Sequence, residues 1–77
     1  MKYKVVNKES GVQPFGNEYE AENKIEALKK FIVESENLTA NLKHIKFTFK
    51  LVGNIVKEFI NGEFDGEEFI AKEVVIK

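Results

Sequence analysis

The sequence contains no cysteine, no arginine and no tryptophan, and it has only one proline and one histidine. Without cysteine the fold has neither disulfides nor thiolate metal ligands. A secreted domain of this size is ordinarily stapled by disulfides, so the expected compartment is a reducing one, the cytoplasm. A single imidazole, His44, excludes a two-histidine metal set within one chain. Without arginine there is no planar fork to grip phosphate or carboxylate bidentately, and all twelve basic residues are lysines. Coding bias in an AT-rich genome is the simplest origin of that composition. No apolar run approaches the roughly 18 residues needed to span a bilayer, and Met1-Lys2-Tyr3-Lys4 opens on strand-like sequence, so no membrane association is expected.

What is present argues for one small folded domain covering residues 1–77. The chain is 43% hydrophobic and 12% aromatic, with seven Phe, whereas disordered chains are poor in aromatics. A domain this short buries only about 60% of the surface its unfolded chain exposes, which leaves little material for a deep substrate pocket. Net charge is −1, neither a nucleic-acid-binding excess nor an acidic mimic of DNA. The charge is uneven, however. Residues 51–77 hold three lysines against six acids, Glu58, Glu63, Asp65, Glu67, Glu68 and Glu73.

Periodicity gives the element order. Residues 2–7 alternate Lys2 and Lys4 against Tyr3 and Val5, as in a half-buried strand. Gly11, Pro14 and Gly16 punctuate a loop, and residues 17–21 read as a short second strand. Asn23 with Glu26 has the spacing of a capping box. Ile25, Leu28, Phe31 and Ile32 then form one apolar helical stripe, with Glu26 and Lys30 as an i,i+4 ion pair. The pattern fades at Ser35-Glu36-Asn37, where Asn37 suits a left-handed helix end. Residues 38–43 read as a connector, with room for one further helical turn, whose Leu38 and Leu42 plug the core.

Residues 44–52 alternate Ile45, Phe47, Phe49 and Leu51 against Lys46, Thr48 and Lys50, the pattern of an antiparallel strand wet on one side. Gly53-Asn54 reads as a two-residue turn. Residues 55–60 fit a returning strand or a short helix between Asn54 and Gly62, and their β-branched content favours the strand. Asn61-Gly62 and Asp65-Gly66 mark further turns, and residues 67–76 a last strand. The expected fold is α+β: one helix on a three- to five-stranded antiparallel sheet, in the order β-(β)-α-β-β-β.

Chemistry has little to work with, and no catalytic, cofactor or metal site is expected. Asn61, Glu63, Asp65 and Gly66 match the opening of a calcium loop, but Lys72 stands where the bidentate Glu belongs and Glu68 where an apolar residue belongs. His44 reads as a solvated strand-entry residue, without a visible partner for acid–base work. Ser10, Ser35, Thr39 and Thr48 lie in no nucleophile motif, and the glycines stand singly rather than in a phosphate loop.

A binding role remains, and a protein partner is the leading expectation. The acids Glu63, Asp65, Glu67 and Glu68 offer a negative patch to a basic partner. Val74 and Ile76, in a terminal strand apolar on both sides, point either to a central strand buried on two faces or to a partner surface, including a homodimer through that strand. The alternative is nucleic acid. If residues 2–7 pair with 44–52, then Lys2, Lys4, Lys46 and Lys50 share one sheet face and attract phosphate. The aromatics needed for base stacking are expected to be missing from that face, because Phe47 and Phe49 point to the core.

In build, the chain resembles small phage and mobile-element proteins of low-GC Gram-positive bacteria. The resemblance rests on the Lys-rich first strand, the segment YEAENKIEALKKF leading into the helix, and the closing meander. Some anti-CRISPR inhibitors look like this. The resemblance implies a non-enzymatic inhibitor or accessory protein that blocks a larger machine by stoichiometric contact.

Overall fold

The computed structural model describes residues 1–75. Its elements in chain order are β1 (Lys2–Asn7), β2 (Glu18–Glu20), α1 (Lys24–Thr39), β3 (Phe47–Val52), β4 (Ile55–Ile60) and β5 (Glu63–Glu73). The strands form one antiparallel sheet in the spatial order β2-β1-β5-β4-β3, and α1 packs on one face of it, an α+β fold. The last strand is therefore central, and β2 and β3 are the edges. No helix among the described residues is long and apolar enough to cross a membrane.

The helix starts where the capping signal places it. Asn23 is extended, and its side chain accepts the Glu26 amide at 2.9 Å. Ala27, Leu28 and Phe31 are fully buried on the sheet, and Ile25 and Ile32 are half-buried beside them. Phe31 is the hub of the core. Its ring lies 5.2 Å from Phe69 and 5.6 Å from Phe15, with Phe49 and Tyr19 edge-on at 6.3 and 6.4 Å.

The expected helix end at Asn37 is wrong. α1 continues to Thr39, and Asn37 stays helical. Ser35 takes the next place in the buried stripe after Leu28 and Phe31, and its hydroxyl donates back to the Phe31 carbonyl at 2.7 Å. Thr39 does the same to the Ser35 carbonyl at 2.9 Å. A run that reads as polar thus satisfies its hydroxyls inside the helix and can be buried. Leu38 and Leu42, expected as core plugs, are 57% and 50% exposed, because the prolonged helix carries them away from the sheet. The Glu26–Lys30 pair is also replaced. Glu26 meets Lys29 at 3.5 Å, and the Lys30 ammonium donates to the Glu20 carbonyl.

The strands after the helix differ in their limits. β3 begins at Phe47, because Lys46 is already engaged by the next turn. The Lys46 amide donates to Asn61 Oδ1 at 2.9 Å, and its carbonyl accepts the Asn61 amide at 2.8 Å. Ile45 is left exposed rather than facing the core. Residues 55–60 form a strand: the Gly53-Asn54 turn sets Ile55 against Val52 and buries Val56 completely. Asn61 and Gly62 both have positive φ, 51° and 86°, the signature of a type I′ hairpin turn. Asp65-Gly66 does not turn the chain. β5 starts at Glu63, runs straight through these residues and absorbs them as a bulge.

Alternation along the paired strands sorts the two faces of the sheet. Tyr3, Val5, Tyr19, Phe49, Val56, Phe69 and Ala71 point under the helix into one core cluster. Lys2, Lys4 and Val6 of β1, Ile70 and Lys72 of β5, Lys57 and Phe59 of β4, and Lys50 of β3 occupy the opposite, uncovered face.

Candidate functional site

The bulge in β5 builds the most distinctive feature of the molecule. Lys57 faces Glu68 and Phe59 faces Phe64, so between them Glu58 alone opposes Asp65, Gly66 and Glu67. Two residues of β5 are in excess there. Gly66 accommodates them at φ 90°, a conformation that side-chain-bearing residues rarely adopt. The consequence is electrostatic: three carboxylates, Glu58, Asp65 and Glu67, are brought together on the helix side of the sheet.

Asn7 braces this cluster. Its Oδ1 accepts the Glu9 and Ser10 amides at 2.9 and 3.0 Å, which shapes the turn after β1. Its Nδ2 donates to Glu67. The carboxyl of Glu58 is pushed up to about 7, first by burial, then by a hydrogen bond shared with Asp65 and by the charges of Asp65 and Glu67. Near neutral pH it therefore carries a proton about half the time.

The trio forms one wall of an open groove of about 670 Å³. Its apolar floor and sides include Phe15, Phe31, Phe47, Phe49 and Phe69, with Val12 and Leu42 at the rim, and Thr39 marks the helix end. No basic side chain lines it among the described residues. The groove exists because α1 ends short of the tip of the β3–β4–β5 meander, which leaves the inner face of the meander uncovered beyond Thr39. An apolar trough with a carboxylate wall suits a ligand that has both a greasy anchor and a positive charge.

The residues singled out from sequence are divided by this geometry. Asp65 and Glu67 line the groove, whereas Glu63 stands at the start of β5 and Glu68 points to the opposite face, 3.9 Å from the Lys57 ammonium. Val74 is half-buried just past β5, its amide donating to the Lys2 carbonyl at 2.8 Å, and Val75 is exposed. Ile76 lies outside the described residues. β5 ends at Glu73, so Val74 and Val75 lie past the strand. Glu58 and Asn7 were not anticipated. The Asp65-Gly66 pair was a usable signal, but only if read as a bulge rather than a turn.

The lysine face also differs from expectation. β1 pairs with β2 and β5, not with β3, so Lys2 and Lys4 are separated from Lys50 by two strands. Lys46 precedes β3 and joins no ladder. Phe47 and Phe49 do point toward the core, yet the uncovered face is not free of aromatics. Phe59 and Phe64 stand on it with ring centroids 5.7 Å apart.

His44 is exposed in the segment before β3 and borders a shallow depression of about 290 Å³ with Glu36 and Thr39. Asn61 and Gly62 of the calcium-like stretch are spent on the hairpin turn. No cluster of three metal-ligating side chains occurs among the described residues. Tyr19 is held by burial and by its 2.5 Å hydrogen bond to Glu34, which raise its hydroxyl well above the ordinary tyrosine range and tie β2 to the helix. Searches for related proteins found no matching family model, no matching curated protein and no matching solved structure.

Proposed function

We propose that this protein is a non-catalytic binding module that takes a basic, apolar-anchored segment of a partner protein into the groove beyond the helix. One observation carries the reading: an apolar groove of about 670 Å³ has three carboxylates, Glu58, Asp65 and Glu67, along its wall and no basic side chain among the described residues. Aliphatic or aromatic side chains of the partner would cover the phenylalanine floor. A lysine or arginine would satisfy the carboxylates, which repel one another while the groove is empty. A role as an inhibitor or accessory protein of a phage or mobile element agrees with such stoichiometric contact and with the build of the chain.

The test is selection of binders from a displayed random-peptide library, followed by mapping of backbone shifts. The reading expects enriched peptides that combine Lys or Arg with bulky apolar residues, and shifts centred on Phe47, Phe49, Glu58 and Asp65. A basic ligand favours ionised Glu58, so affinity should rise up to roughly tenfold from pH 6 to pH 8 and lose that dependence in Glu58→Gln. Peptides without cationic residues, or shifts elsewhere, would refute the assignment.

A further inference from the structure

The uncovered face of the sheet presents a second surface with different chemistry. Phe64 is 46% exposed and Phe59 is half-buried beside it, tilted by 52° at 5.7 Å. Each ring carries an ammonium group above it. Lys50 lies 5.0 Å from the centroid of Phe59, and Lys57 lies 5.3 Å from that of Phe64. Two rings and two ammonium groups thus form one patch on adjoining strands, Lys50 beside Lys57 and Phe59 beside Phe64.

The registry of the strands sharpens the point. Lys50 directly opposes Lys57, and Lys4 directly opposes Lys72. Like charges facing each other across antiparallel strands destabilise a sheet, and folding alone gives no reason for two such pairs on one face. The Lys4–Lys72 pair lies about 13 Å along β5 from the residue that opposes Lys57, by the ordinary rise of a strand. The main acid between them is Glu68, which holds Lys57 only loosely at 3.9 Å. Glu18 and Glu20 lie at the β2 edge, opposite Lys4 and Lys2.

We propose that this face binds single-stranded nucleic acid, with bases stacking on Phe64 and Phe59 and phosphates bridging Lys50, Lys57, Lys4 and Lys72. Planar apolar groups flanked by cations complement a polymer that carries both bases and phosphates. A polyanion also relieves both opposed lysine pairs at once. An acidic peptide would supply charge but nothing planar for the rings. Recognition would be tolerant of base sequence, because lysine is a point charge without the fork that reads base edges. This surface is on the opposite side of the sheet from the groove, and its occupancy is independent of the groove's ligand.

The experiment is fluorescence anisotropy with labelled oligothymidylate and oligouridylate of about 12 nucleotides, within the span of known sheet-type binders. A duplex of equal length and a polyglutamate peptide serve as competitors. If four lysines meet phosphates, affinity should fall about 50-fold between 50 and 200 mM salt, at the single-strand slope of about −0.7 per contact. Phe64→Ala should weaken binding roughly 5- to 100-fold, as loss of one stacked base does. That ring is exposed enough for the variant to fold. Glu68→Lys should tighten binding at least about threefold at low salt by adding a phosphate contact, a gain that misfolding cannot mimic. The proposal is overturned by any of three outcomes: no binding of either oligonucleotide at low salt, affinity unchanged in Phe64→Ala, or duplex or polyglutamate bound as tightly as the single strands.

Discussion

Glu58 provides the most demanding check on the groove, because its proton is held by the fold. Its carboxyl sits at about 7, against an ordinary 4.5 for a glutamate that is not so confined. The folded chain therefore binds this proton more tightly than the unfolded chain does. The resulting stability is fully present below about pH 4.5, is lost as pH rises toward 7, and changes no further above that. Converted in full the difference is about 3 kcal/mol, but the side chain is partly open to water, and screening reduces it to about 1–2 kcal/mol. Glu58→Gln keeps the shape and the hydrogen bond to Asp65 while removing the titration. Urea unfolding of both proteins at intervals from pH 4.5 to 8 measures the effect. The difference between them should grow with pH by about 1–2 kcal/mol, with the variant the more stable at pH 8. Parallel curves would refute the juxtaposition of Glu58 with Asp65 and Glu67, and with it the acidic wall.

Variants at three other positions probe the elements that build the site. Gly66→Ala meets no neighbouring atom at its new Cβ but must adopt φ 90°, so it should cost about 1–2 kcal/mol through backbone strain alone. Thermal melting reads that as a fall of about 4–8 °C per kcal/mol in a domain of this size. Asn23→Ala removes the cap of α1 and should cost about 1 kcal/mol, whereas Asn23→Asp should cost little; circular dichroism at 222 nm follows both. Phe31→Ala removes the ring that touches four others and should cost about 3–5 kcal/mol. Against a total of roughly 4–12 kcal/mol for 77 residues, that is a large share of the stability, which denaturant titration would detect.

The legible part of the fold rested on short-range chemistry. The Asn23 cap, the Leu28–Phe31 stripe, the alternation around Phe49 and the turn residues at Gly53 and Asn61 each specify their own neighbourhood, and each formed where its signal lies. The misread segments were those in which packing or strand pairing overrode the local preference. Ser35-Glu36-Asn37 looks like a helix end until Ser35 is seen buried against the core with its hydroxyl bonded back to Phe31. Asp65-Gly66 looks like a turn until β4 offers a ladder on which the chain can continue.

The binding surfaces divide in the same way. Acidic character in the last third, the scarcity of catalytic side chains and the supply of lysines can be read directly, since they are matters of composition. That Glu58 joins Asp65 and Glu67, while Glu63 and Glu68 do not, depends on a two-residue offset between β4 and β5. Likewise the Asn61-Gly62 hairpin sets Phe59 opposite Phe64, but that they stand on the uncovered face is decided by which side of the sheet the helix takes. Residue types and their local periods are properties of the chain. Which face a side chain occupies, and whose charge it feels, is set by strand order and register, and those are decided when the elements pack together.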